Sequence, residues 1–279
     1  MSTSPDRRYR TVWISDVHLG TRGCQAARLL DFLRECEAET LYLVGDIVDV
    51  WRLRRRRFWP QEHSDVVQKL LRKARRGTRV ILVPGNHDDV LHDYVGLEFG
   101  QILIKPDHIH ETADGRRLLV IHGDQFDTVV ARAPWLAHLG THALAVSQLV
   151  NQWFNWWRRV FGYPYWSLSG YLKHKVKHRA AFIAKFDAAL VLEAERRGVD
   201  GVVCGHIHHP EIRQIGAITY YNDGDWVDSC TALVEDENGQ LELIRWPEPS
   251  RRAAPEPETE PATGVAARLK RLRRLVPTA

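Results

Sequence analysis

The stretch TVWISDVHLG spans residues 11–20 and joins an apolar run to a polar turn. Its first five residues are mostly β-branched or aromatic, and this composition predicts a buried strand over residues 11–15. Asp16 and His18 follow that strand directly and alternate along the chain, so their side chains can project from one short segment towards one point. Gly20 allows the backbone to turn tightly after them. The stretch therefore predicts a strand with a polar site at its carboxyl end.

Two more apolar runs continue the same pattern along the chain. They cover residues 40–44 (TLYLV) and 79–83 (RVILV), and helices are predicted between the three strands at residues 25–38 and 64–75. Strands that alternate with helices indicate an α/β sheet with right-handed crossover connections. Ligands of such sheets bind beyond the carboxyl ends of the strands, which is where the polar residues fall.

The second half of the chain contains a further set of short apolar runs that predict strands. They cover residues 118–121, 201–204, 218–221, 231–234 and 241–245. Turn residues at 222–224 and 237–239 separate the last of these runs. They indicate antiparallel pairing, either at a sheet edge or in a second sheet.

A long aromatic segment interrupts the strands. Residues 131–187 are helical in pattern and hold five of the ten tryptophans of the chain. We expect an inserted helical lid there, with the main domain in residues 1–130 and 188–246. Residues 247–279 are predicted to form a Pro/Glu-rich linker followed by a basic amphipathic tail.

The composition is that of a folded domain with a mildly basic surface. The 279 residues are 44% hydrophobic and 27% charged, with a net charge of +4, which allows anionic substrates or an anionic membrane face as partners. The four cysteines lack CxxC pairing and disulfide-framework spacing, so we expect free thiols. The N-terminus lacks the apolar run of a signal peptide, and no apolar stretch reaches the ~20 residues that span a bilayer. We therefore expect a cytoplasmic protein that is peripheral on the inner face of the cell membrane.

Five polar clusters, each directly after a predicted strand, are candidates for a metal site. They are Asp16-Val17-His18, Gly45-Asp46-Ile47-Val48-Asp49, Gly85-Asn86-His87-Asp88, His122-Gly123-Asp124 and Gly205-His206-Ile207-His208. One such cluster alone is usually a turn or a helix cap, but five in succession at strand ends favour a metal site. Mixed carboxylate, imidazole and amide ligands suit Mn, Fe, Co or Zn, whereas Ca²⁺ prefers oxygen ligands alone. Seven ligands with one bridging carboxylate fit two ions roughly 3.5–4 Å apart.

The order D-x-H, G-D-x-x-D, G-N-H-D, H-G and G-H-x-H resembles the signature of the calcineurin-like metallophosphoesterases, from about residue 12 to residue 208. The resemblance implies an α/β fold of four layers, in which two mixed β-sheets are flanked by helices. It also implies two divalent metal ions, for which we expect Mn, with Fe, Zn and Co as alternatives. The implied ligands are Asp16, His18 and His208 for one ion, Asn86, His122 and His206 for the other, and Asp46 as the bridge.

Within that superfamily the chain looks like the UDP-2,3-diacylglucosamine diphosphatase branch. The likeness rests on DVHLG at residues 16–20, GDIVDVW at 45–51, HGDQFD at 122–127, YNDGDW at 221–226 and the insertion before GHIHHP. Enzymes of that branch cleave a lipid-linked UDP-sugar of lipid A synthesis into UMP and 2,3-diacylglucosamine 1-phosphate. His87 is a departure, because the best-known members of the branch have Arg there, and it leaves the exact substrate open.

Asp46 and His87 are the predicted catalytic residues. Asp46 would bridge the metal ions, while Asn86 and His87 would contact the substrate. His87 could protonate the leaving group or position a phosphate oxygen. Asp49 and Asp88 have two interpretations: acceptors that orient histidines, or helix N-caps.

Aromatic and basic residues of the insertion are candidate substrate contacts. Residues 151–159 are too aromatic on all sides for a small helical subdomain to bury completely. Trp153 and Trp157 are therefore predicted to face acyl chains or a membrane surface. Lys173 and Lys177, one helical turn apart, are candidates for a pyrophosphate contact, with a solvated helix face as the alternative.

Another basic run comprises Arg52 and residues 54–57, just after the Asp46 cluster. It could rim the site or contact anionic lipid headgroups. An ordinary solvated surface is the alternative interpretation.

These features favour a lipid-directed pyrophosphatase but leave other functions open. The same site could act on another lipid phosphate, or on a nucleotide phosphodiester or monoester. A fold that has lost catalysis is disfavoured by intact ligand residues at all seven positions. A nuclease is disfavoured because an aromatic lid would obstruct a duplex. The sequence does not predict an oligomeric state.

Overall fold

The computed structural model describes residues 7–126 and 177–247. Most of the lid predicted at residues 131–187 lies outside these residues, as does the predicted tail beyond Pro247. The predicted substrate contacts Trp153, Trp157 and Lys173 also lie outside them. Lys177 is the first residue of a described helix.

The described part of the chain contains twelve strands and four α-helices. The strands are β1 (Arg7–Ile14), β2 (Cys36–Val44), β3 (Arg79–Val83), β4 (Glu98–Phe99), β5 (Ile102–Ile104), β6 (His108–Glu111), β7 (Arg117–Val120), β8 (Gly201–Cys204), β9 (Glu211–Ile215), β10 (Ile218–Asn222), β11 (Thr231–Glu235) and β12 (Leu241–Arg245). The helices are α1 (Ala26–Glu35), α2 (Val50–Arg55), α3 (Gln61–Arg75) and α4 (Lys177–Arg197), with short 3₁₀ helices at Asp89–Tyr94 and Asp124–Phe126.

The strands form two mixed sheets. Sheet 1 has the order β12-β11-β1-β2-β3-β5-β4. Its pairs β1–β2 and β2–β3 are parallel, as the alternating pattern predicted, and β3 also pairs in parallel with β5, which was not predicted. Sheet 2 has the order β6-β7-β8-β10-β9, with β7, β8 and β10 parallel. The turn at 237–239 joins the antiparallel pair β11–β12, as predicted. The prediction for 222–224 is wrong, because this turn joins β10 of sheet 2 to β11 of sheet 1. The antiparallel partner of β10 is β9, which was not predicted.

Side chains along β1 alternate between two hydrophobic cores. Trp13 belongs to the core between the sheets, where its ring stacks on Tyr42 of β2 with the centroids 5.5 Å apart. Val12 and Ile14 belong to the core that includes α1 and α3. A strand that is buried on both faces needs a continuous apolar run, and this explains the composition of the opening stretch.

Three hydrophobic cores separate four layers. Leu29 and Leu33 of α1 and Val66 of α3 are buried against sheet 1. Phe186 and Leu190 of α4 are buried against sheet 2. The third core fills the space between the sheets. The order helix, sheet, sheet, helix confirms the predicted four-layer α/β fold.

The helix predicted at residues 25–38 is wrong at its carboxyl end. α1 ends at Glu35, and Cys36 already begins β2. The residues Cys36, Glu37 and Ala38 pair with the first residues of β1. Tertiary pairing with a neighbouring strand here overrides the helical propensity of the sequence.

Several short elements carry no apolar signal and were not predicted from the sequence. β6 (HIHE) and β9 (EIRQI) are polar, and β4 has two residues. α2 (VWRLRR) has six residues and no buried side chain, so it lacks an amphipathic pattern.

The boundary predicted between lid and main domain, at residues 187–188, falls inside α4. Phe186, on the lid side of that boundary, makes an edge-to-face contact with Phe126 at a centroid distance of 5.5 Å. Both rings belong to the core under sheet 2. This part of α4 therefore packs with the main domain.

A buried polar cluster links the two sheets. Glu235 of β11 is fully buried, and its carboxylate lies 2.8 Å from His110 Nε2 of β6 and 2.6 Å from Arg10 Nη1 of β1. The backbone N–H of Ala113 donates to the same carboxylate at 2.8 Å. Burial favours the neutral acid, but the hydrogen bonds from His110 and Ala113 outweigh burial and lower the pKa of Glu235 to about 2.

Candidate metal centre

The seven predicted ligands all lie at the carboxyl ends of parallel strands. Asp16 and His18 follow β1, Asp46 follows β2, Asn86 follows β3, His122 follows β7, and His206 and His208 follow β8. Sheet 1 therefore contributes three strand ends to one site, and sheet 2 contributes two. This is the edge at which open α/β sheets bind ligands.

The backbone of this site is strained. Among the non-glycine residues that the structure describes, six have positive φ, and five of them are predicted ligands: Asp16 (49°), His18 (52°), Asp46 (54°), His206 (67°) and His208 (53°). The left-handed region is rare for non-glycine residues and costs of order 1–3 kcal/mol each. Such strain persists where the surrounding structure compensates it, and it concentrates at functional sites.

The first group of candidate ligand atoms is formed by Asp16, His18 and His208, which the resemblance assigned to one ion. Asp16 Oδ1 lies 3.1 Å from His208 Nε2 and 3.8 Å from His18 Nε2. The rings of His18 and His208 are stacked with their centroids 5.3 Å apart. One ligand atom from each residue lies within 4.8 Å of the others, so the three atoms can surround a single cation.

The second group consists of Asp16, Asp46 and His122. Asp46 Oδ1 lies 3.5 Å from His122 Nε2, while Asp46 Oδ2 lies 3.8 Å from His18 Nε2. The two oxygens of Asp46 therefore face different histidines, as expected of a carboxylate placed between two ions. The centroid of the His206 ring lies 5.2 Å from that of His122, but His206 is not among the candidate ligand atoms that converge in this group.

Buried polar atoms without hydrogen-bond partners test whether these residues fit a cation. Asn86 Oδ1 and His122 Nε2 are buried and have no hydrogen-bond partner, and buried Asp16 Oδ1 has only the contact with His208 Nε2 at 3.1 Å. Such orphaned atoms are costly in a protein interior unless another group satisfies them. A set of carboxylate, amide and imidazole donors matches the ligand preferences of borderline divalent ions. The residues present fit the metal ions that the resemblance implies.

His122 is held in an orientation that suits metal binding. Its Nδ1 lies 3.0 Å from the carbonyl oxygen of Val44 and donates to it, so Nε2 faces Asp46. Burial disfavours a charge on this ring, but Asp46 and Asp16 outweigh burial and raise the pKa of His122 to about 10. An environment that stabilises the protonated imidazole of His122 so strongly also stabilises a divalent cation. Such a cation, when bound, would displace the proton.

The pKa values of the two carboxylates agree with a cation site. Burial favours the neutral acid of Asp46, yet His122 and the backbone N–H of His87 lower its pKa to about 2. Burial acts on Asp16 in the same way, and its pKa is likewise lowered, by contacts with His208 and His122. Both groups therefore carry negative charge at neutral pH.

Two glycines make room for the ligands. A Cβ at Gly45, which has φ of +74°, would collide with the ring of His122. A Cβ at Gly205 would collide with the carboxylate of Asp16 and with Ser15. Glycine is therefore required in the G-D and G-H motifs, because the side chains that approach these positions leave no room for a Cβ atom.

His87 lies at the open edge of the cluster. Its Nδ1 is 3.1 Å from Asp49 Oδ2, and its Nε2 is 4.0 Å from Asp46 Oδ2. The Trp51 ring packs beside the imidazole with the centroids 4.9 Å apart. The side chain keeps 27% exposure and lines a cavity of about 330 Å³ together with His18 and His208. A group in this place can meet both a metal-bound substrate and solvent.

Asp49 and Asp88 differ in what they contact. Asp49 caps α2 by accepting from the backbone N–H of Arg52 at 2.8 Å, and it also approaches His87 and His18, so both interpretations apply to it. Asp88 makes no side-chain cap bond and instead accepts from the backbone N–H groups of Gly85 and Ile47, at 2.6 and 2.8 Å. It stabilises the loops after β2 and β3.

Sequence reasoning assigned no role to Ser15 and Asp223. Ser15 Oγ lies 2.6 Å from Asp16 Oδ2 and 2.7 Å from Asp223 Oδ1. Asp223 is fully buried, and burial raises its pKa well above the usual value. The Ser15 hydroxyl lies between the two carboxyl groups and joins Asp223 to the Asp16 carboxylate.

Comparison with known proteins agrees with the fold and the site. The family model of the calcineurin-like phosphoesterases matches residues 9–210. The chain belongs to the calcineurin-like phosphoesterase family and is a metal-dependent phosphoester hydrolase. Membership implies divalent metal ions, for which the two candidate ligand groups described above are suited.

The similar curated proteins share one name. A UDP-2,3-diacylglucosamine hydrolase of Vibrio cholerae is 26% identical over 263 residues, covering 85% of this chain and 97% of that protein. A protein of the same name from Haemophilus influenzae is 25% identical over 258 residues, covering 84% of this chain and 98% of that one. The likeness thus extends over nearly the full length of these relatives.

Solved structures with a similar fold are more distant. Vps29 of Entamoeba histolytica in complex with Zn²⁺ has 15% identity and a TM-score of 0.36, covering 84% of this chain and 97% of that chain. Yfce, a phosphoesterase from E. coli, has 18% identity and a TM-score of 0.39, covering 85% of this chain and 99% of that chain. At these values neither match bears on the activity of the chain.

Proposed function

We propose that this chain hydrolyses UDP-2,3-diacylglucosamine to UMP and 2,3-diacylglucosamine 1-phosphate, with two Mn²⁺ ions. The observation that supports the proposal most is that carboxylate and imidazole side chains on a strained backbone lie together at one sheet edge. Buried atoms of this group that could bind a metal ion have no hydrogen-bond partner. The name shared by relatives that match over nearly their whole length supports the choice of substrate.

Each ligand residue has a proposed place. Asp16, His18 and His208 would hold one ion, Asn86, His122 and His206 would hold the other, and Asp46 would bridge the two ions. Two such ions, when bound, supply an activated water and neutralise the charge on the phosphoryl oxygens.

The chain itself contributes the orientation of these ligands. The backbone N–H of His87 donates to Asp46 Oδ1 at 2.8 Å, and the backbone N–H of His206 donates to Asp16 Oδ2 at 2.8 Å. These bonds fix the remaining carboxylate oxygens towards the cluster. Preorganised ligands lower the cost of binding highly charged phosphate esters.

His87 is the proposed proton donor to the leaving oxygen. Asp49 faces its Nδ1, which leaves Nε2 on the side of Asp46 and of the cavity. A histidine in this position supplies a proton near neutral pH more readily than an arginine does. Its alternative role is to position a phosphate oxygen together with Asn86.

A second candidate function is hydrolysis of another lipid phosphate, or of a nucleotide phosphodiester or monoester. His87 favours it, because a leaving alkoxide needs a proton more than a leaving phosphate does. The metal centre would be the same in both cases, so the substrates must be compared directly.

The substrate contacts and the location are further parts of the proposal. Trp153 and Trp157 would face acyl chains, Lys173 and Lys177 would contact the pyrophosphate, and the protein would be peripheral on the inner face of the membrane. Over the described residues, no helix is long and apolar enough to cross a bilayer.

The test is to incubate the purified protein with Mn²⁺ and UDP-2,3-diacylglucosamine in detergent and to follow UMP by mass spectrometry. Bis(4-nitrophenyl) phosphate serves as a control for the metal centre alone. Release of UMP supports the lipid pyrophosphatase. Turnover of the nitrophenyl ester without UMP release overturns the substrate and leaves the second candidate.

A further inference from the structure

A cavity lined by arginines adjoins the metal centre. It has a volume of about 470 Å³ and is lined by Arg22, Arg52, Arg55 and Arg56, with Phe58, Thr21 and two glycines. Among the described residues, no acidic side chain lines this cavity. Four positive charges around one concavity repel each other and attract an anion.

This cavity adjoins the cavity of the metal centre, with which it shares three lining residues. Arg52, Thr21 and Gly23 line both, and the second cavity is otherwise lined by groups of the metal site such as His18 and His87. A ligand with one group at the metal ions can therefore place a neighbouring group among the arginines.

α2 sets the separation between the two cavities. Asp49 caps its start and contacts His87, while Arg52, Arg55 and Arg56 lie along it and at its end. Its six residues rise about 9 Å along the helix axis, which is within the reach of an arginine side chain and a diphosphate.

The arginines that line this cavity are available for a ligand. Among the described residues, no carboxylate lies within 4.0 Å of the guanidinium groups of Arg22, Arg55 or Arg56. Arg22 lies over the Phe58 ring at 5.5 Å, a contact that orients its guanidinium without neutralising it. Arg52 Nε is 3.7 Å from Asp49, and its side chain is 72% exposed.

The position of arginines at the end of a helix has a simpler explanation, because cations there interact favourably with the helix dipole. Arg54 shares that advantage, and Arg57 continues the same run, yet neither lines the cavity. A comparison of the pair Arg55 and Arg56 with the pair Arg54 and Arg57 therefore distinguishes ligand binding from an effect of charge at the helix end.

We propose that this arginine-lined cavity is a second anion subsite, which binds the phosphate group of the substrate that is not attacked at the metal centre. This proposal rests on the proposed function, because it requires that a phosphate bound at the metal ions occupies the neighbouring cavity. The subsite selects substrates with two linked phosphates over those with one. Arginine suits this task because its planar donors pair with phosphate oxygens in a bidentate manner.

The test compares two double variants of the Mn²⁺-loaded protein, Arg55→Gln/Arg56→Gln and the matched control Arg54→Gln/Arg57→Gln. Both remove two charges from exposed positions of the same run. Turnover of bis(4-nitrophenyl) phosphate reports the metal centre, and α,β-methylene-UDP and UMP are used as its competitive inhibitors. The ratio of their two inhibition constants measures the preference for a second phosphate.

We expect the wild type and the control variant to bind α,β-methylene-UDP more tightly than UMP by about tenfold or more. The Arg55→Gln/Arg56→Gln variant should lose most of this preference while kcat/KM for bis(4-nitrophenyl) phosphate stays within about twofold. An unchanged ratio, or an equal loss in the control variant, would overturn the subsite.

Two further measurements separate this proposal from its neighbours. Sedimentation with phosphatidylglycerol vesicles tests lipid headgroups as the ligand, and loss of vesicle binding in the Arg55→Gln/Arg56→Gln variant with an unchanged inhibition ratio overturns the proposal. If the wild type releases no UMP from UDP-2,3-diacylglucosamine but keeps an arginine-dependent preference for the diphosphate, the subsite stands and the lipid substrate fails.

Discussion

At the scale of single residues, the surroundings of His87 allow two candidate roles: proton donor to the leaving group, or positioning residue for a phosphate oxygen. It has Asp49 on one side, Asp46 on the other and the Trp51 ring against its face. A proton donor acts on the leaving group, whereas a positioning residue acts on the phosphate that is attacked. The two roles therefore respond differently to the leaving group.

The first prediction is that His87→Asn lowers kcat by about a hundredfold for phenyl esters and only a few-fold for 4-nitrophenyl esters. The reason is that nitrophenolate leaves without a proton. The measurement is kcat for matched aryl phosphodiesters with Mn²⁺ content checked in parallel. Equal losses on both esters would instead assign His87 to positioning a phosphate oxygen.

The local order of the motifs predicted candidate ligands that directly follow strands, and the structure places them at strand ends. Asp16, His18 and Asp46 each follow an apolar strand, so their placement depends on local sequence. The contact between Ser15 and Asp223 joins residues 208 positions apart and depends on how two sheets pack. Such a contact has no local signal in the sequence.

At the scale of elements, α2 connects the metal site to the arginine-lined cavity. Its N-cap Asp49 has two functions, because it accepts from the backbone of Arg52 and contacts His87. Substitutions can separate them, since serine is a good N-cap but carries no charge.

The second prediction is that Asp49→Ala lowers the free energy of unfolding by about 1 kcal/mol and also lowers kcat, whereas Asp49→Ser restores most of the stability but not kcat. Urea unfolding and kinetics with the same preparations measure the two effects. If Asp49→Ser recovered activity along with stability, the carboxylate would have no role in orienting His87.

Sequence patterns predicted several buried strands with their observed bounds and missed elements that bury little. β3 (Arg79–Val83) and β8 (Gly201–Cys204) have the predicted bounds because most of their residues are buried. α2 buries no side chain and was missed. The start of β2 was missed because pairing with β1, rather than local composition, makes it extended.

At the scale of the whole molecule, the packing of two sheets brings their strand ends into one site. β1, β2 and β3 contribute ligands from sheet 1, and β7 and β8 contribute them from sheet 2. The alternating pattern predicted the parallel strands of the first sheet, and the family resemblance implied the four layers. It did not predict the registration of the sheets, which depends on long-range contacts such as that of Glu235 with His110.

The third prediction concerns that contact. The pKa of Glu235 is lowered from 4.5 to about 2, so its stabilising effect is complete above pH 4.5 and is lost as the pH falls from 4.5 towards 2. Glu235→Gln should lower the free energy of unfolding at pH 7 by about 3 kcal/mol and flatten its dependence on pH in that window.

Thermal and urea unfolding between pH 3 and pH 7 measure this effect. Glu242→Gln, on the exposed side of the neighbouring strand β12, is the matched control and should behave as the wild type. Parallel pH profiles for Glu235→Gln and the wild type would show that the buried contact contributes nothing.

The central claim is a dinuclear metal site bridged by Asp46, and metal content is its most direct test. Asparagine tolerates the left-handed backbone of this position, so Asp46→Asn should fold. Asp89→Asn, an exposed carboxylate near the same loops, is the control.

The measurement is metal content by mass spectrometry after loading with Mn²⁺, together with turnover of bis(4-nitrophenyl) phosphate. We expect two ions per chain in the wild type and in Asp89→Asn. We expect fewer than two in Asp46→Asn, with kcat/KM lowered by about a thousandfold or more. An Asp46→Asn variant that keeps both ions and full turnover would contradict the account.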